Sequence, residues 1–364
     1  MDKQELEPLD IESTFSKNVI DAFFNSTSMK KRKRAMDKNN YSKLKKTIVD
    51  ADTKMINNCL LYAIHYNKTK IAKKIIETDY DINAPNRQSL NINENNSEIF
   101  RFAVYYNRLS LIEPLINAGA DVTTDENYAL IKYCLANNTK IIRLLIKNGA
   151  NVYARNCLAL IQAAGIGNME TFLILIEHMN VRPIELDNAS VLSEPSVIYT
   201  NYDIALISAA MYNNVEIVNI LIQKGANPTV NNSEILINAV EKNFMQIVQI
   251  LLDYGVNPNI RNGQVLKTVI NNGNYSLTKF LVEYKFNGKY VCDLSFDDSI
   301  YLRWAAIKGD YDICKLLLES VDIDGRHRCD VNAADNDAYN MAQKYQYYRV
   351  AQLLEYHQKI KKID

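Results

Sequence analysis

The chain has 364 residues, of which 48% are hydrophobic and 23% are charged, a composition that supports a folded core and excludes wholesale disorder. Lys plus Arg and Asp plus Glu both number 42, so no overall electrostatic field directs the chain to nucleic acid or to an acidic membrane. Six cysteines occur without a CxxC pair, which excludes the usual patterns of a disulfide framework or a zinc site.

The first part of the chain, residues 1–38, is predicted to be an N-terminal helical segment, capping or partly flexible, and residues 1–27 show no repeat. Phe15, Val19 and Ile20 are spaced as on one face of an amphipathic helix. Met1 to Glu12 is acidic where a secretory signal is basic and then apolar, and no apolar run approaches the roughly 18 residues that span a bilayer. These features predict an intracellular protein that does not enter membranes.

A basic run, Lys30, Lys31, Arg32, Lys33 and Arg34, lies near the end of this segment. Runs of this kind are found in nuclear-localisation signals and in nucleic-acid-binding patches. A solvated helix face is the simpler interpretation and is favoured. The even charge balance of the whole chain also argues against nucleic acid as the partner.

A pair of aliphatic residues, called the anchor below, returns ten times along the remainder of the chain. The anchors are Ile48-Val49, Ile75-Ile76, Leu115-Ile116, Leu145-Ile146, Leu175-Ile176, Leu221-Ile222, Leu251-Leu252, Leu281-Val282, Leu317-Leu318 and Leu353-Leu354. Successive anchors lie 27, 40, 30, 30, 46, 30, 30, 36 and 36 residues apart. The basic period is therefore 30 residues, and the excess marks insertions near residues 84–97, 182–202, 285–300 and 321–335.

Each repeat unit is predicted to be a helical hairpin. Asn or Gly stands eight residues before nine of the ten anchors, and Tyr345 is the exception. Asn and Gly enter the left-handed backbone region at the least cost, so a first helix ends there and the chain reverses. Alanines such as Ala63, Ala103 and Ala209 lie eleven or twelve residues before the anchor, where first helices of neighbouring repeats approach closely. The fold class is therefore predicted to be all-α.

The residues that close each unit resemble the ankyrin repeat, as in Gly119-Ala120-Asp121-Val122, Gly149-Ala150-Asn151-Val152 and Gly225-Ala226-Asn227-Pro228. The resemblance implies a solenoid of about ten ankyrin-type helix-turn-helix repeats over residues 39–358, followed by a basic tail, 359–364. The family unit is usually about 33 residues, so the connections between units are expected to be short. Phrases such as Tyr301-Leu302-Arg303-Trp304-Ala305-Ala306 are similar to ankyrin proteins of amoeba-infecting giant DNA viruses.

The resemblance implies a protein–protein interaction scaffold that binds host proteins through its concave face, in the cytoplasm of the host cell. Candidate partner-binding residues are the aromatic residues and one histidine at outward positions of the first helices: Tyr62, His65, Tyr66, Phe102, Tyr105, Tyr106, Tyr212 and Trp304. Packing of these rings against neighbouring repeats is an equally good interpretation. An alternative function is a substrate adaptor for a ubiquitin ligase, with residues 1–38 as the recruiting module. A third is a nuclear nucleic-acid binder that uses Lys30 to Arg34.

Catalytic chemistry is not indicated. The four histidines, His65, His178, His327 and His357, are not spaced with Cys, Asp or Glu as a metal-ligand cluster. Neither GxGxxG nor GxxxxGK[ST] occurs. We therefore expect no catalytic residues, no metal and no cofactor, and the chain is predicted not to be an enzyme.

Overall fold

The computed structural model describes residues 27–48, 53–77, 93–182 and 199–360, which form twenty helices and one short β-hairpin. The chain divides into two compact units, residues 1–155 and 156–364. The helices that begin in the first unit are α1 (Thr27–Asp37), α2 (Tyr41–Ile48), α3 (Thr53–His65), α4 (Thr69–Glu77), α5 (Glu94–Tyr105), α6 (Leu109–Asn117), α7 (Thr124–Leu135), α8 (Thr139–Lys147) and α9 (Ala154–Ile166).

The second unit continues from within α9 with the same alternation of longer and shorter helices. Its elements are α10 (Met169–Glu177), α11 (Asn201–Met211), α12 (Val215–Gln223), α13 (Val230–Glu241), α14 (Met245–Asp253), α15 (Ile260–Asn271), α16 (Tyr275–Glu283), β1 (Lys285–Phe286), β2 (Lys289–Tyr290), α17 (Phe296–Lys308), α18 (Tyr311–Glu319), α19 (Ala333–Lys344) and α20 (Tyr348–Ile360). Odd-numbered helices are the first helices of the repeats and even-numbered helices are the second. The described residues thus contain ten helical hairpins, as predicted. The first helix of the first hairpin, α1, lies within residues 1–38, the segment predicted to be separate from the repeats.

The turn inside each hairpin is built on one left-handed residue. Asn67 and Asn107 have φ angles of 55° and 53°, and the following amide donates five residues back, from Lys68 to Ala63 O at 2.7 Å and from Arg108 to Ala103 O at 2.8 Å. These bonds satisfy carbonyls that the end of the first helix leaves unpaired. The left-handed conformation therefore explains why Asn or Gly recurs at this position.

The predicted positions of the turn are wrong by one residue in the first and last repeats. The left-handed residues are Asn39 and Gln346, with φ angles of 50° and 64°, rather than Asn40 and Tyr345. Asn40 instead accepts a hydrogen bond from Lys43 N through its Oδ1 atom at 3.0 Å, as the cap of α2.

The core is formed where first helices of neighbouring repeats pack together. In the first unit α3 packs on α5 and α5 on α7, and in the second unit α11, α13, α15, α17 and α19 pack in that order. The alanines at these contacts, such as Ala63, Ala103 and Ala209, are completely buried. Their small side chains allow the close approach that the sequence predicts. Each unit is therefore a stack in which repeats bury one another's apolar faces.

Connections between repeats are short and are held by a repeated hydrogen bond. Six residues, 118–123, join α6 to α7, and six more, 254–259, join α14 to α15. A polar side chain near the start of one first helix accepts from the backbone of the next connection: Asn127 Oδ1 from Asn151 N at 2.7 Å and Asp203 Oδ1 from Asn227 N at 2.6 Å. These bonds fix the spacing of neighbouring repeats without a long connecting loop.

Two of the four predicted insertions are described in full. Residues 285–300 contain β1 and β2, which pair antiparallel in the register Lys285↔Tyr290 and Phe286↔Lys289 around an Asn-Gly turn. In residues 321–335 a single bridge joins Val321 to His327. Most of the insertions at 84–97 and 182–202 lies outside the described residues, as do residues 1–26 of the N-terminal segment.

Candidate partner-binding surface

Aromatic side chains from two neighbouring repeats meet at the C-terminal ends of α3 and α5. The rings of Tyr62 and Tyr66 lie 4.4 Å apart between centroids, and the ring of His65 lies edge-on to that of Tyr106 at 5.0 Å. Tyr106 also lies 5.1 Å from Tyr105, edge-on. Tyr62, His65, Tyr66, Phe102, Tyr105 and Tyr106 are called the aromatic cluster below. The structure therefore brings six of the eight predicted partner-binding residues into one group.

Members of the aromatic cluster differ in exposure. Tyr62 is 2% exposed and Phe102 is 3% exposed, so these two rings pack in the core. The hydroxyl of Tyr62 donates to Asp37 Oδ1 at 2.8 Å, which ties the second repeat to the first. The other four members are half-buried and present part of each ring to solvent. A partner would contact those four, and their role in binding stays a prediction.

Contacts between His65 and Tyr106 hold the partly exposed rings in fixed positions. His65 Nδ1 and the hydroxyl of Tyr106 lie 2.8 Å apart, within hydrogen-bond distance. Edge-on aromatic pairs are favourable by about 0.5–1.5 kcal/mol beyond the area that they bury. Side chains that are already ordered lose little conformational entropy when a partner binds, which is a property of binding hot spots.

Cations border the aromatic cluster. Arg108 donates from Nε to Ile64 O at 2.8 Å and from Nη2 to His65 O at 2.9 Å, and its guanidinium carbon lies 5.6 Å from the centroid of the Tyr106 ring. Burial lowers the pKa of the Arg108 guanidinium. The cation sits at the carboxyl end of α3, where the helix dipole is negative.

Lys132 has the equivalent role one repeat further on. Its Nζ atom donates to Val104 O at 2.7 Å and to Tyr105 O at 2.8 Å, at the carboxyl end of α5. Burial also lowers the pKa of this ammonium group. Sequence reasoning missed both cations. A signal was present for Lys132, because it stands thirteen residues before its anchor, the position that Tyr62 and Phe102 occupy in their own repeats.

Tyr212 and Trp304, the other two predicted binding residues, lie in the second unit. Tyr212 is 58% exposed, with Lys242 Nζ 6.0 Å from its ring centroid. Trp304 is half-buried, with Lys267 Nζ 4.4 Å from its ring. Each ring has its own lysine partner. Their part in binding remains a prediction.

The basic run lies on α1, and its side chains divide into two groups. Arg32 donates to Thr47 O from Nε at 3.0 Å and from Nη2 at 2.6 Å, at the end of α2. Lys33 lies over the Tyr62 ring, with Nζ 5.8 Å from the centroid. Lys30, Lys31 and Arg34 are exposed. Two of the five cations thus contribute to packing, and three remain on the surface.

Neither a metal site nor a reactive thiol is evident in the part of the chain that the structure describes. No group of three or more His, Cys, Asp or Glu side chains there could hold a metal ion. All six cysteines are buried, and burial raises the pKa of Cys134 and that of Cys292 to about 12. Among the described helices, none has the length and apolar content to cross a bilayer.

Comparison with known proteins gives a family match and a viral relative. The family model for ankyrin repeats (three copies) matches residues 100–187 and 186–262. Ankyrin repeat protein FPV018 of fowlpox virus (strain NVSL) is 29% identical over 112 residues, which are 30% of this chain. That match spans 15% of the length of the fowlpox protein.

Comparison with solved structures finds ankyrin repeat domains. The human ASB11 domain is 18% identical and covers 57% of this chain and 95% of its own, with a TM-score of 0.38. The Bcl-3 domain, from the IkappaB protein family, is 22% identical and covers 56% and 89%, also at 0.38. A domain from Acinetobacter baumannii AYE is 24% identical and covers 53% and 95%, again at 0.38.

The match to the ankyrin-repeat model covers residues 100–262, and the described residues before and after this region form helical hairpins of the same kind. Ankyrin repeats act as protein-binding scaffolds, and each unit of the chain has the helical hairpins of such a scaffold.

Proposed function

We propose that this chain is a virus-encoded scaffold that binds host proteins through the first helices of its second to fourth repeats, α3, α5 and α7. The observation that carries the proposal is the aromatic cluster, in which four half-buried rings are held in place by their neighbours. Ordered, partly exposed aromatic side chains provide large contact areas at low entropic cost. Affinity would come from these rings, and specificity from the cations and connections around them.

The viral source and the host compartment are part of this proposal. The fowlpox relative supports a viral origin. The resemblance to ankyrin proteins of amoeba-infecting giant DNA viruses leads us to propose a virus of that group as the source. A scaffold that binds host proteins would act in the cytoplasm of the host cell, with entry to the nucleus if the exposed part of the basic run is recognised. We also propose that the chain has no catalytic activity, since ankyrin repeats act by binding.

Paired substitutions in the two units test the proposal. Tyr66→Ser with Tyr105→Ser removes two half-buried rings of the aromatic cluster, and Tyr275→Ser with Tyr348→Ser removes two exposed rings of the second unit as a matched control. Affinity capture of the tagged full chain from host cells, followed by mass spectrometry, compares each variant with the wild type. Circular dichroism verifies that both variants keep their helicity.

We expect the first variant to lose its principal partner by about tenfold or more, as hot-spot aromatics do, and the control to retain it. Equal recovery by the wild type and both folded variants would contradict the proposed surface. Tyr62 and Phe102 are left unchanged because both rings are buried, and their removal would affect folding.

A second candidate function is that of a substrate adaptor for a ubiquitin ligase, recruited through residues 1–38. The exposed side chains of Lys30, Lys31 and Arg34 on α1 support this candidate, because they leave the described part of the segment accessible. Charge reversal at these three positions in the full chain should abolish co-purification of a ligase subunit while the principal partner is kept. Ligase recovery that is unaffected by the change would count against recruitment through this helix.

A further inference from the structure

Positive charge is concentrated on the first two repeats, although the whole chain is neutral. Residues 30–77 contain fourteen Lys and Arg and four Asp and Glu, a net charge of +10. The remainder of the chain therefore carries a net charge of −10, since the total is zero. A field of this kind is local and is hidden when only the total charge is considered.

The charges on the second helices of these repeats face solvent at equivalent positions. Lys43 and Lys46 on α2 recur as Lys70 and Lys73 on α4, each 27 residues later, which is the first spacing between anchors. All four are exposed, whereas Leu44, beside Lys43, is buried. Residues three apart on a helix share a face, so each helix presents two lysines together.

Three of these lysines form no ion pair within the described residues. Glu77 pairs with Lys73 at 3.5 Å, but no described carboxylate forms an ion pair with Lys43, Lys46 or Lys70. Surface cations without an acidic neighbour keep their field for a binding partner. A lysine of this region also lies beside the aromatic cluster: Lys68 Nζ donates to the backbone oxygen of Asp37 at 3.2 Å, and the side chain of Asp37 accepts from the hydroxyl of Tyr62.

From this distribution we infer that the first two repeats and the aromatic cluster bind an acidic, aromatic- or aliphatic-containing segment of a partner protein. The inference rests on the proposed function and specifies the partner's chemistry. Carboxylates of the segment would lie against the lysines, and its apolar side chains would contact the half-buried rings of the cluster. Charge complementarity would accelerate association and suppress basic competitors.

The geometry of the rings favours a polypeptide over single-stranded nucleic acid. Bases stack on open aromatic faces, but the rings here are packed against one another and against cations. Tyr62 is 4.4 Å from Tyr66 and has Lys33 Nζ 5.8 Å from its centroid, and Tyr106 has the Arg108 guanidinium carbon at 5.6 Å. These contacts occupy ring faces on which bases would otherwise stack.

The same surface is a poor fit to a membrane. Peripheral helices insert large apolar side chains below the lipid headgroups. Within residues 30–47 and 54–77, whose burial the structure describes, no large apolar side chain is exposed. Because no large apolar side chain here is exposed enough to insert into lipid, the charged surface suits a soluble acidic segment.

Two triple variants of equal net charge test the inference on the full chain. Lys43→Glu, Lys46→Glu and Lys70→Glu alter the basic surface, and Lys224→Glu, Lys289→Glu and Lys308→Glu alter exposed lysines of the second unit as the control. The probes are a fluorescein-labelled peptide in which pairs of glutamates alternate with phenylalanine, its glutamine counterpart, a labelled oligothymidylate, and phosphatidylcholine vesicles containing phosphatidylserine. Fluorescence anisotropy and co-sedimentation measure binding at several salt concentrations.

We expect the glutamate peptide to bind more tightly than every other probe. The first triple variant should lower the affinity for this peptide by about tenfold or more. The control should change binding by less than about twofold, because its lysines are not part of the proposed surface and exposed charges act over short distances in salt. Equal binding of the glutamine peptide, equal effects of both variants, or preference for oligothymidylate or vesicles would each overturn the inference. The proposed function would survive any of these results if the host partner is still captured through Tyr66 and Tyr105.

Discussion

Ten residues before the anchor, α5 of the first unit carries Tyr105, whereas α9 and α15 in the second unit carry Gly165 and Asn271. The helices that carry these residues have the same place in their repeats and end in the same left-handed turn, at Asn107, Gly167 and Gly273. Packing is therefore common to both units, while the exposed chemistry is not. Buried positions of a repeat thus preserve the fold, whereas partly exposed positions are where repeats acquire separate functions.

The largest losses of stability are expected from substitutions in the cores of the two units, and their comparison tests whether the cores are equivalent. Leu115→Ala in the first unit and Leu251→Ala in the second each remove a completely buried anchor side chain. Each should lower the free energy of unfolding by about 2–5 kcal/mol, through lost burial and the cavity left behind. Chemical denaturation followed by circular dichroism measures both. A large loss in one unit and none in the other would show that the cores are not equivalent.

A smaller effect is expected where a cation of the first unit caps a helix. Arg108→Met keeps the length of the side chain but removes the two hydrogen bonds to Ile64 O and His65 O, and it should cost about 1–2 kcal/mol. Arg143→Met on α8, where the arginine is exposed, is the matched control and should cost less than about 0.5 kcal/mol. Thermal unfolding of the two variants measures the difference. Similar losses would mean that the carbonyl contacts of Arg108 add nothing to stability.

The smallest changes in stability are expected when either of two buried tyrosine hydroxyls of the first unit is removed. Tyr62→Phe removes the hydrogen bond to Asp37 and should destabilise the chain by about 1 kcal/mol. The hydroxyl of Tyr133 is buried, with no hydrogen-bond partner among the described residues, so Tyr133→Phe should be neutral or stabilising by up to about 1 kcal/mol. Changes of opposite sign in the free energy of unfolding, measured in the same denaturation experiment, would support Tyr62 as a link between repeats. A destabilising Tyr133→Phe would mean that its hydroxyl has a partner.

The repeated features were the predictable ones. Leu130, Leu236 and Ala103 are buried, and their spacing in the sequence is enough to predict that they lie on the contact face of a hairpin. Tyr62 is buried and Tyr66 is half-buried, but spacing alone could not predict this difference. Residues four apart in a helical pattern are expected on the same side of the helix. Burial at that point depends on the neighbouring repeat, which supplies Asp37 as a partner.

Other features of the surface also depend on contacts between repeats. Arg108 and Lys132 were not predicted, because their partners are backbone carbonyls that have no sequence signature. The concentration of charge in residues 30–77 is a property of the sequence, but the zero total masks it. Charge counted separately for each repeat reveals it from the sequence alone.

Hydrogen–deuterium exchange of the full chain, with and without the captured host partner, would locate the bound partner on the first or the second unit. Binding at the aromatic cluster should slow exchange at the carboxyl ends of α3 and α5 and in the turns at Asn67 and Asn107, with little change across residues 201–360. Protection confined to residues 201–360, with none in α3 or α5, would contradict the claim that the first unit holds the partner.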